Sequence, residues 1–501
     1  MSEISRDSSL AVETSGPLLG EELVRGGSEA DRVSSDSPSS GFVCACLFFC
    51  GLLLFFVGLG SSGPERQAEE RALDAAESVY SGQGGLIPIV EGEQYVKKPP
   101  LYAWMAAGVS RVFGGVDSFT VRLPAALGGL LCVILTFFVG KDLRDAQTGF
   151  LGAVILATTY RFNFVSHLAM VDVPLAAAIL AVLVGSLRLR SRGDSWGTLS
   201  VAAGTCAATL FKGHVGWIWI AIVLVAARLA LGRAPKRFGR KTTFGIGLGL
   251  LGSLWWFVYA MAATPSSNGT FLSEVMMRFG EGVRHAKPLW FYPASIVEEA
   301  FPWSLLFPAV GYYLWKIRKS LSPDLKMYLL WFAGGLVIFS FSSAKQPHYL
   351  IPLYPSIALA TAVVLLNLRL EQIKLARLLR AGLYGVAVAM AAGGVGMVFY
   401  SYFILGLSLS LATAVMVLLL GGAYIVFCFT HRGFCLHGAL TVVTVLCLIT
   451  PLFYAGIFPA KIEVSQERPS YLAQIGQERR DRALMRLQWI LQSLEGGKDR
   501  S

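Results

Sequence analysis

Read for apolar and polar positions, the chain opens with 41 residues rich in Ser, Gly and Glu and then turns predominantly apolar. Apolar segments recur at approximately 42–60, 122–140, 148–160, 171–187, 198–211, 214–231, 243–262, 297–315, 325–342, 349–368, 381–401, 405–429 and 438–458. A helix crosses a bilayer with about 20 such residues, so the pattern predicts an all-α polytopic membrane protein with about thirteen transmembrane helices. Several segments fall short of that length. Residues 1–41 lack apolar periodicity and read as a disordered cytoplasmic tail. That leader is long and acidic, whereas a cleaved signal peptide starts short and basic.

Charge fixes an orientation. With the first span running outward, the inner loops include "KDLRD" (141–145), "RLRSR" (188–192), "GRAPKRFGRK" (232–241), "KIRKS" (316–320), "RLEQIKLARLLR" (369–380) and "HR" (431–432). All are short and carry Lys or Arg, as inner loops should. The tail, with eight acidic against three basic residues, disagrees, and six concordant loops outweigh it. The outer side then holds a long loop at 61–121, a second at 263–296 and a short amphipathic tail at 461–501. In the first loop "PERQAEERALDAAESV" (64–79) reads as a polar helix, followed by a Gly-rich link. In the C-terminal tail "QERRDRALMRLQWILQSL" (477–494) is amphipathic enough to lie against a membrane. The main domain spans 42–460.

Composition supports this division. Of 501 residues, 54% are hydrophobic and 15% charged, against about 25% charged in soluble domains. The net charge of +11 lies largely in short loops, where it sets topology and touches anionic lipid; no nucleic-acid partner is expected. The eight cysteines sit in or beside apolar stretches, which argues against a disulfide framework and a zinc site.

The outer face nevertheless gathers ionisable groups that the orientation rule disfavours. "YVKKPPLYAW" (95–104) presents Lys97 and Lys98 where Pro99 and Pro100 stop any helix. "SHLAMVDVPLAAAIL" (166–180) sets Asp172 at the head of a span, and "TLFKGHVGW" (209–217) sets Lys212 between two spans. "EVMMRFGEGVRHAKPLWFYP" (274–293) supplies Arg278, Arg284, His285 and Lys287, and "SSAKQPHYLIPLYP" (342–355) supplies Lys345, His348 and Tyr349. Each has a plain alternative reading: a helix-cap acid, a turn lysine, a snorkelling amine, an interfacial histidine. A collection from five segments on one side of a bilayer is different, because charges at membrane depth pair or line a polar cavity. Cations beside carboxylates suit transfer from a phosphorylated lipid: the cations stabilise the departing phosphate, and a carboxylate takes the proton of an attacking hydroxyl.

In order, "KPPLYAW", "FGGVDSFTVRLPAALGGLL" (113–131), "MVDVPLAAAI", "LFKG", "PLWFYP…FPWSLLFP" and "KQPHYLIPLYP" resemble the bacterial GT-C glycosyltransferases that use polyprenyl-phosphate sugars. Nearest in pattern are the aminoarabinose transferases acting on lipid A, with protein O-mannosyltransferases more distant. The resemblance implies an enzyme of the bacterial inner membrane. Its outward-facing site would move a sugar, with inversion, from the carrier to a lipid, glycan or protein acceptor. It implies that Lys98 binds the donor phosphate, with Arg71, Lys212, Arg278, Tyr349, His285 and Lys345 around it, and that Glu69 or Asp172 activates the acceptor while the other acid orients the first-loop helix or the acceptor. The chain departs from the pattern in the first loop. Where the family shows Asp-Glu-x-Arg-Tyr-Ala, this sequence reads "AEERAL", with Ala68 in place of Asp. Glu69 then stands alone, or Glu70 or Glu65 fills the position in another register. Lys97 stands where some relatives carry a metal-holding acid, so no metal site is assigned, although a divalent cation stays open. Two other classes compete: a transporter of a lipid-linked or anionic solute, and an inactive acceptor-binding protein on the same fold. Paired broken helices in matching halves, the pointer to a transporter, are absent from the sequence.

Overall fold

A computed structural model describes residues 40–64, 67–232, 236–264, 287–342, 345–367, 373–399, 409–432 and 435–454. They divide into two units, one ending at Cys46 and one beginning at Leu47, and the site lies in the second. Helix α1 spans Ser40–Phe56 and α2 spans Gln67–Tyr80, the polar helix expected in the first loop. A two-stranded hairpin follows, β1 (Ile89–Val90) against β2 (Glu93–Gln94), which the sequence reading did not foresee. Its two turn residues, Glu91 and Gly92, both have positive φ (55° and 83°), the requirement of a tight hairpin turn.

Then come α3 (Leu101–Phe113), α4 (Ser118–Leu143), α5 (Ala146–Ala157), α6 (Tyr160–Ser166), α7 (Asp172–Ser191), α8 (Ser195–Lys212), α9 (His214–Leu231) and α10 (Lys236–Ala263). The second half holds α11 (Phe291–Glu299), α12 (Phe307–Ile317), α13 (Pro323–Ser340), α14 (Tyr354–Leu366), α15 (Ile373–Phe399), α16 (Leu409–His431) and α17 (Cys435–Leu452), with 3₁₀ turns at Trp303–Leu306 and Pro347–Leu353. Over the described residues every predicted apolar segment is largely helical, although 148–160 is broken between α5 and α6, 297–315 between α11, a 3₁₀ turn and α12, and 349–368 between a 3₁₀ turn and α14. Eight described helices are long and apolar enough to cross a membrane, and α1 and α5 are shorter apolar helices. The chain is an integral membrane protein with a helical bundle.

Caps and small residues set the bundle's geometry. Asp117 accepts the Thr120 N–H at 2.8 Å and its own N–H donates to Thr120 Oγ1 at 2.9 Å, a reciprocal box that starts α4. Asp117→Ala is expected to cost about 1 kcal/mol, read as a small drop in unfolding temperature in detergent. Along α4, a Cβ on Gly128 would stand 2.9 Å from the Pro174 nitrogen, and one on Gly140 would stand 2.5 Å from the Gly149 Cα. α4 therefore approaches the head of α7 and the body of α5 backbone to backbone, as membrane helices do through small residues. On α10, Leu248, Leu251, Leu254, Trp255 and Val258 are exposed, the apolar face lipid requires.

The two ends of the bundle are pinned differently. Where α4 ends and α13 begins, Arg144 donates to Asp324 (2.8 Å) and to Asn367 (3.3 Å). The other end, where α4 and α7 begin and α8 finishes, carries the site.

Candidate active site

At that end, the first turn of α2 turns Glu69 inward, 1% exposed, while Glu70 faces solvent. Glu69 Oε1 accepts Arg122 Nε at 2.9 Å and the Ala169 N–H at 2.7 Å, and Oε2 accepts Arg122 Nη2 at 3.1 Å. Arg122, near the start of α4, spends its remaining donors on the turn after α1: Nη1 on the carbonyls of Leu59 (3.0 Å) and Ser62 (3.1 Å) and on Ser62 Oγ (3.1 Å), Nη2 on the Gly63 carbonyl (2.8 Å). One buried ion pair thus fastens α1, α2, α4 and the connection before α7.

Three residues beyond Ala169, Asp172 opens α7, 3% exposed. Its Oδ1 accepts Lys212 Nζ at 2.5 Å, and its Oδ2 faces His348 Nε2 at 3.9 Å. The Lys212 ammonium also lies 4.4 Å from the centre of the Tyr349 ring, and His348 meets that ring edge-on at 4.8 Å. Lys212 closes α8 because Gly213, at φ 53°, turns the chain sharply into α9. Tyr349 and His348 are held on the 3₁₀ turn, which carries Pro347 at its start and Pro352 inside it. Lys98 lies exposed on an irregular stretch before Pro99, as the two prolines predicted, and α3 begins only at Leu101. The Lys98 and Lys212 ammonium groups both act electrostatically on the Asp172 carboxylate. Tyr292 on α11 feels both Tyr349 and Asp172, and its hydroxyl donates to the Gln346 carbonyl at 3.2 Å.

The structure therefore gathers Asp172, Lys212, Tyr349 and the charge of Lys98. Lys345, 3% exposed, donates to the Lys287 carbonyl at 2.7 Å beside this cluster, and burial pushes its ammonium below the usual lysine range. Arg71 stands apart, paired with Glu91 at 3.3 Å in a half-exposed bridge from α2 to the hairpin turn. Arg278, His285 and Glu65 lie outside the described residues, as does the C-terminal tail. Among the described residues, no three His, Cys, Asp or Glu side chains gather to hold a metal.

Sequence reading missed three groups. Arg122 was assigned no role, Arg161 pairs with Glu299 through two hydrogen bonds (Nη2 to Oε1 at 2.5 Å), and His167 stacks on Tyr454 at 3.5 Å. The available signal was a charged or polar side chain at the edge of an apolar run, which needs a partner. Pattern alone does not say which.

Residues 97–258 match the family described as dolichyl-phosphate-mannose-protein mannosyltransferase. The chain superposes on ArnT from Cupriavidus metallidurans bound to undecaprenyl phosphate with a TM-score of 0.69 at 20% identity, covering 87% of this chain and 80% of that one. It has the GT-C fold of that structure. Among curated proteins, it is 25% identical over 334 residues to undecaprenyl phosphate-alpha-4-amino-4-deoxy-L-arabinose arabinosyl transferase 2 of Proteus mirabilis, covering 64% of this chain and 59% of that protein. It is 28% identical over 352 residues to the corresponding transferase of Pseudomonas paraeruginosa, covering 68% and 62%. The matched stretch thus spans about three-fifths of these relatives' own length. The family match on this GT-C fold begins at the Lys97–Lys98 pair and includes Arg122, Asp172 and Lys212.

Proposed function

We propose that this GT-C protein is a glycosyltransferase that takes a sugar from a polyprenyl-phosphate carrier and passes it, with inversion, to a lipid, glycan or protein on the non-cytoplasmic side. The observation that carries the reading is the convergence of Asp172, Lys212 and Lys98 at one end of the bundle. Lys212 binds the carboxylate directly and Lys98 adds a second positive charge within electrostatic reach of it, a setting that suits a phosphodiester. Lys98 is exposed and Lys212 buried, so an incoming phosphate meets Lys98 first and then draws on Lys212. As the carrier phosphate leaves it gains negative charge, and preorganised cations stabilise that charge most. Tyr349 shapes the site beneath Lys212. Arg278, His285, Lys345 and Arg71 extend the phosphate-binding set by the family pattern. Glu69 orients the first-loop helix through Arg122, and Asp172 is the acid nearest the transfer. Relatives are named for undecaprenyl phosphate-linked aminoarabinose, which makes that donor the first to try.

The test is donor consumption by the full chain in lipid nanodiscs, with a panel of polyprenyl-phosphate sugars and a membrane extract as acceptor. One donor is expected to disappear. Lys98→Ala should slow its loss about 10- to 100-fold, since a hydrogen bond to a charged group is worth about 1.5–3 kcal/mol. No consumption of any donor by folded wild-type protein would overturn the assignment.

A further inference from the structure

We propose that the end of the bundle opposite the site holds the head group of an anionic phospholipid between α12 and α15, with an acyl chain along the exposed face of α15. Lipid binding there does not depend on the glycosyltransferase reading above.

The stretches "KIRKS" (316–320) and "RLEQIKLARLLR" (369–380) place cations at the end of α12 and the start of α15. These helices pack together. A Cβ on Gly382 of α15 would stand 2.6 Å from the Leu305 carbonyl oxygen, so α15 meets the 3₁₀ turn before α12 at close range. Across this seam two cations are each seated on a ring. The Arg318 guanidinium lies 4.7 Å from the centre of the Trp315 ring, and its Nη1 donates to the Trp315 carbonyl at 2.6 Å. The Lys374 ammonium, from α15, lies 5.2 Å from the centre of the Tyr312 ring. The Tyr312 and Trp315 rings are themselves 6.3 Å apart. A ring holds a cation through its quadrupole and leaves the charge in place, whereas a carboxylate would cancel it. Two cations so held, one of them a planar fork that matches phosphate oxygens, make a receptor for an anion.

The surroundings suit a lipid better than a soluble anion. Trp315 is 60% exposed at the end of its helix, and such amphipathic rings sit at head-group depth. α15 is one of the candidate spans. Along it from Arg377, the side chains of Ala381, Val388, Ala392 and Val395 are exposed. Their spacing keeps them on one helical face, so an apolar strip runs from the cations toward the middle of the span. Small and β-branched side chains leave that strip shallow, and an acyl chain lying in it gains close contact along its length. A phosphate at the two rings and a chain on the strip belong to one molecule, a phospholipid. A zwitterionic head group would bring its own cation against Arg318 and Lys374, which is why the phospholipid is anionic. Bound from both helices, its head group ties α12 to α15.

The experiment titrates phosphatidylglycerol, with phosphatidylcholine as the comparison, onto the full chain in neutral detergent and counts bound lipid by native mass spectrometry. Wild type should retain phosphatidylglycerol in preference to phosphatidylcholine. Arg318→Gln/Lys374→Gln should weaken that binding about 30-fold, the effect of two cations beside an anionic lipid. Trp315→Leu should weaken it about threefold, the share of one exposed ring. Arg192→Gln/Arg228→Gln removes the same charge from exposed positions beside the ends of α7 and α9, and should leave the affinity within about twofold. All three variants change exposed side chains and should unfold at the wild-type temperature in lipid-free detergent. Equal losses in the two double variants would show attraction by the summed charge of the basic loops, and would overturn the proposal. So would equal retention of the two lipids, or a Trp315→Leu protein that binds like wild type. A lipid-free dimer dissolved by Arg318→Gln/Lys374→Gln would assign the seam to a second copy of this chain instead. If that double variant fails to fold, Lys374→Gln alone decides the question, with an expected loss of about fivefold.

Discussion

Arg122→Met is expected to remove nearly all folded protein from the membrane, a larger loss than any other single substitution at the site. Arg122 and Glu69 are 2% and 1% exposed, and neither has water to fall back on. Removing one partner of a buried ion pair costs about 3–5 kcal/mol because the other charge stays buried. Here the cost is higher, since the carbonyls of Leu59, Ser62 and Gly63 lose their donor as well. Against a total stability of about 5–15 kcal/mol, that is most of the margin. Glu69→Gln should be nearly as damaging, leaving a guanidinium beside an amide. The double variant Glu69→Leu/Arg122→Met removes both charges and should recover part of the loss. Recovery stays partial because the loop carbonyls and the Ala169 N–H remain unpaired. Size-exclusion yield and unfolding temperature in detergent read all three. Wild-type yield for Arg122→Met would show that the pair is not what holds the first loop, and would return Glu69 to the list of acids able to act on an acceptor.

This pair also shows where sequence reading reached its limit. The helical segments, the polar helix in the first loop and the break at Pro99–Pro100 were legible because each depends on local chemistry: apolar run length, amphipathic spacing, a missing N–H. The gathering of Asp172 and Lys212 at one end of the bundle was legible in outline, because ionisable groups at the edges of apolar runs need polar company. What pattern could not supply was pairing. Arg122 lies 53 residues from Glu69, and "FTVRLP" gives no hint that its arginine reaches back across two helices. The hairpin at 89–94 escaped because strands of two residues leave almost no periodicity. The break within 297–315 escaped because an apolar run looks the same whether its backbone is one helix or three pieces. The same physics explains why Glu69 looked like a free acid in sequence: its burial follows from Arg122, which only the fold brings to it.

Asp172→Asn and Lys212→Met should move donor binding in opposite directions while both nearly abolish turnover. On the proposed reading, Lys212 binds the Asp172 carboxylate, Lys98 adds its charge from the first loop, and a phosphodiester balances the remaining charge. Asp172→Asn removes the competitor for Lys212 and leaves two cations for the phosphate. Lys212→Met instead leaves a buried anion where the phosphate should sit, without its hydrogen-bonded ammonium. At an effective dielectric of about 20, one charge roughly 5 Å from another is worth about 3 kcal/mol. Relaxation of flexible side chains trims that to an expected 10- to 100-fold change each way. The Asp172 and Lys212 side chains are 4% and 9% exposed, so the effect should persist at high salt, which screens exposed pairs first. On the proposed reading turnover should still fall at least about 10³-fold in both: Asp172→Asn loses the acid nearest the transfer, and Lys212→Met loses the cation on the leaving phosphate. Undecaprenyl phosphate binding, followed by the shift in unfolding temperature with added lipid, separates the two variants. If both weakened binding equally, the pair would be acting as a structural strut and the phosphate would be held elsewhere. Opposite shifts with silent turnover require that the same two side chains set both the charge of the site and its chemistry.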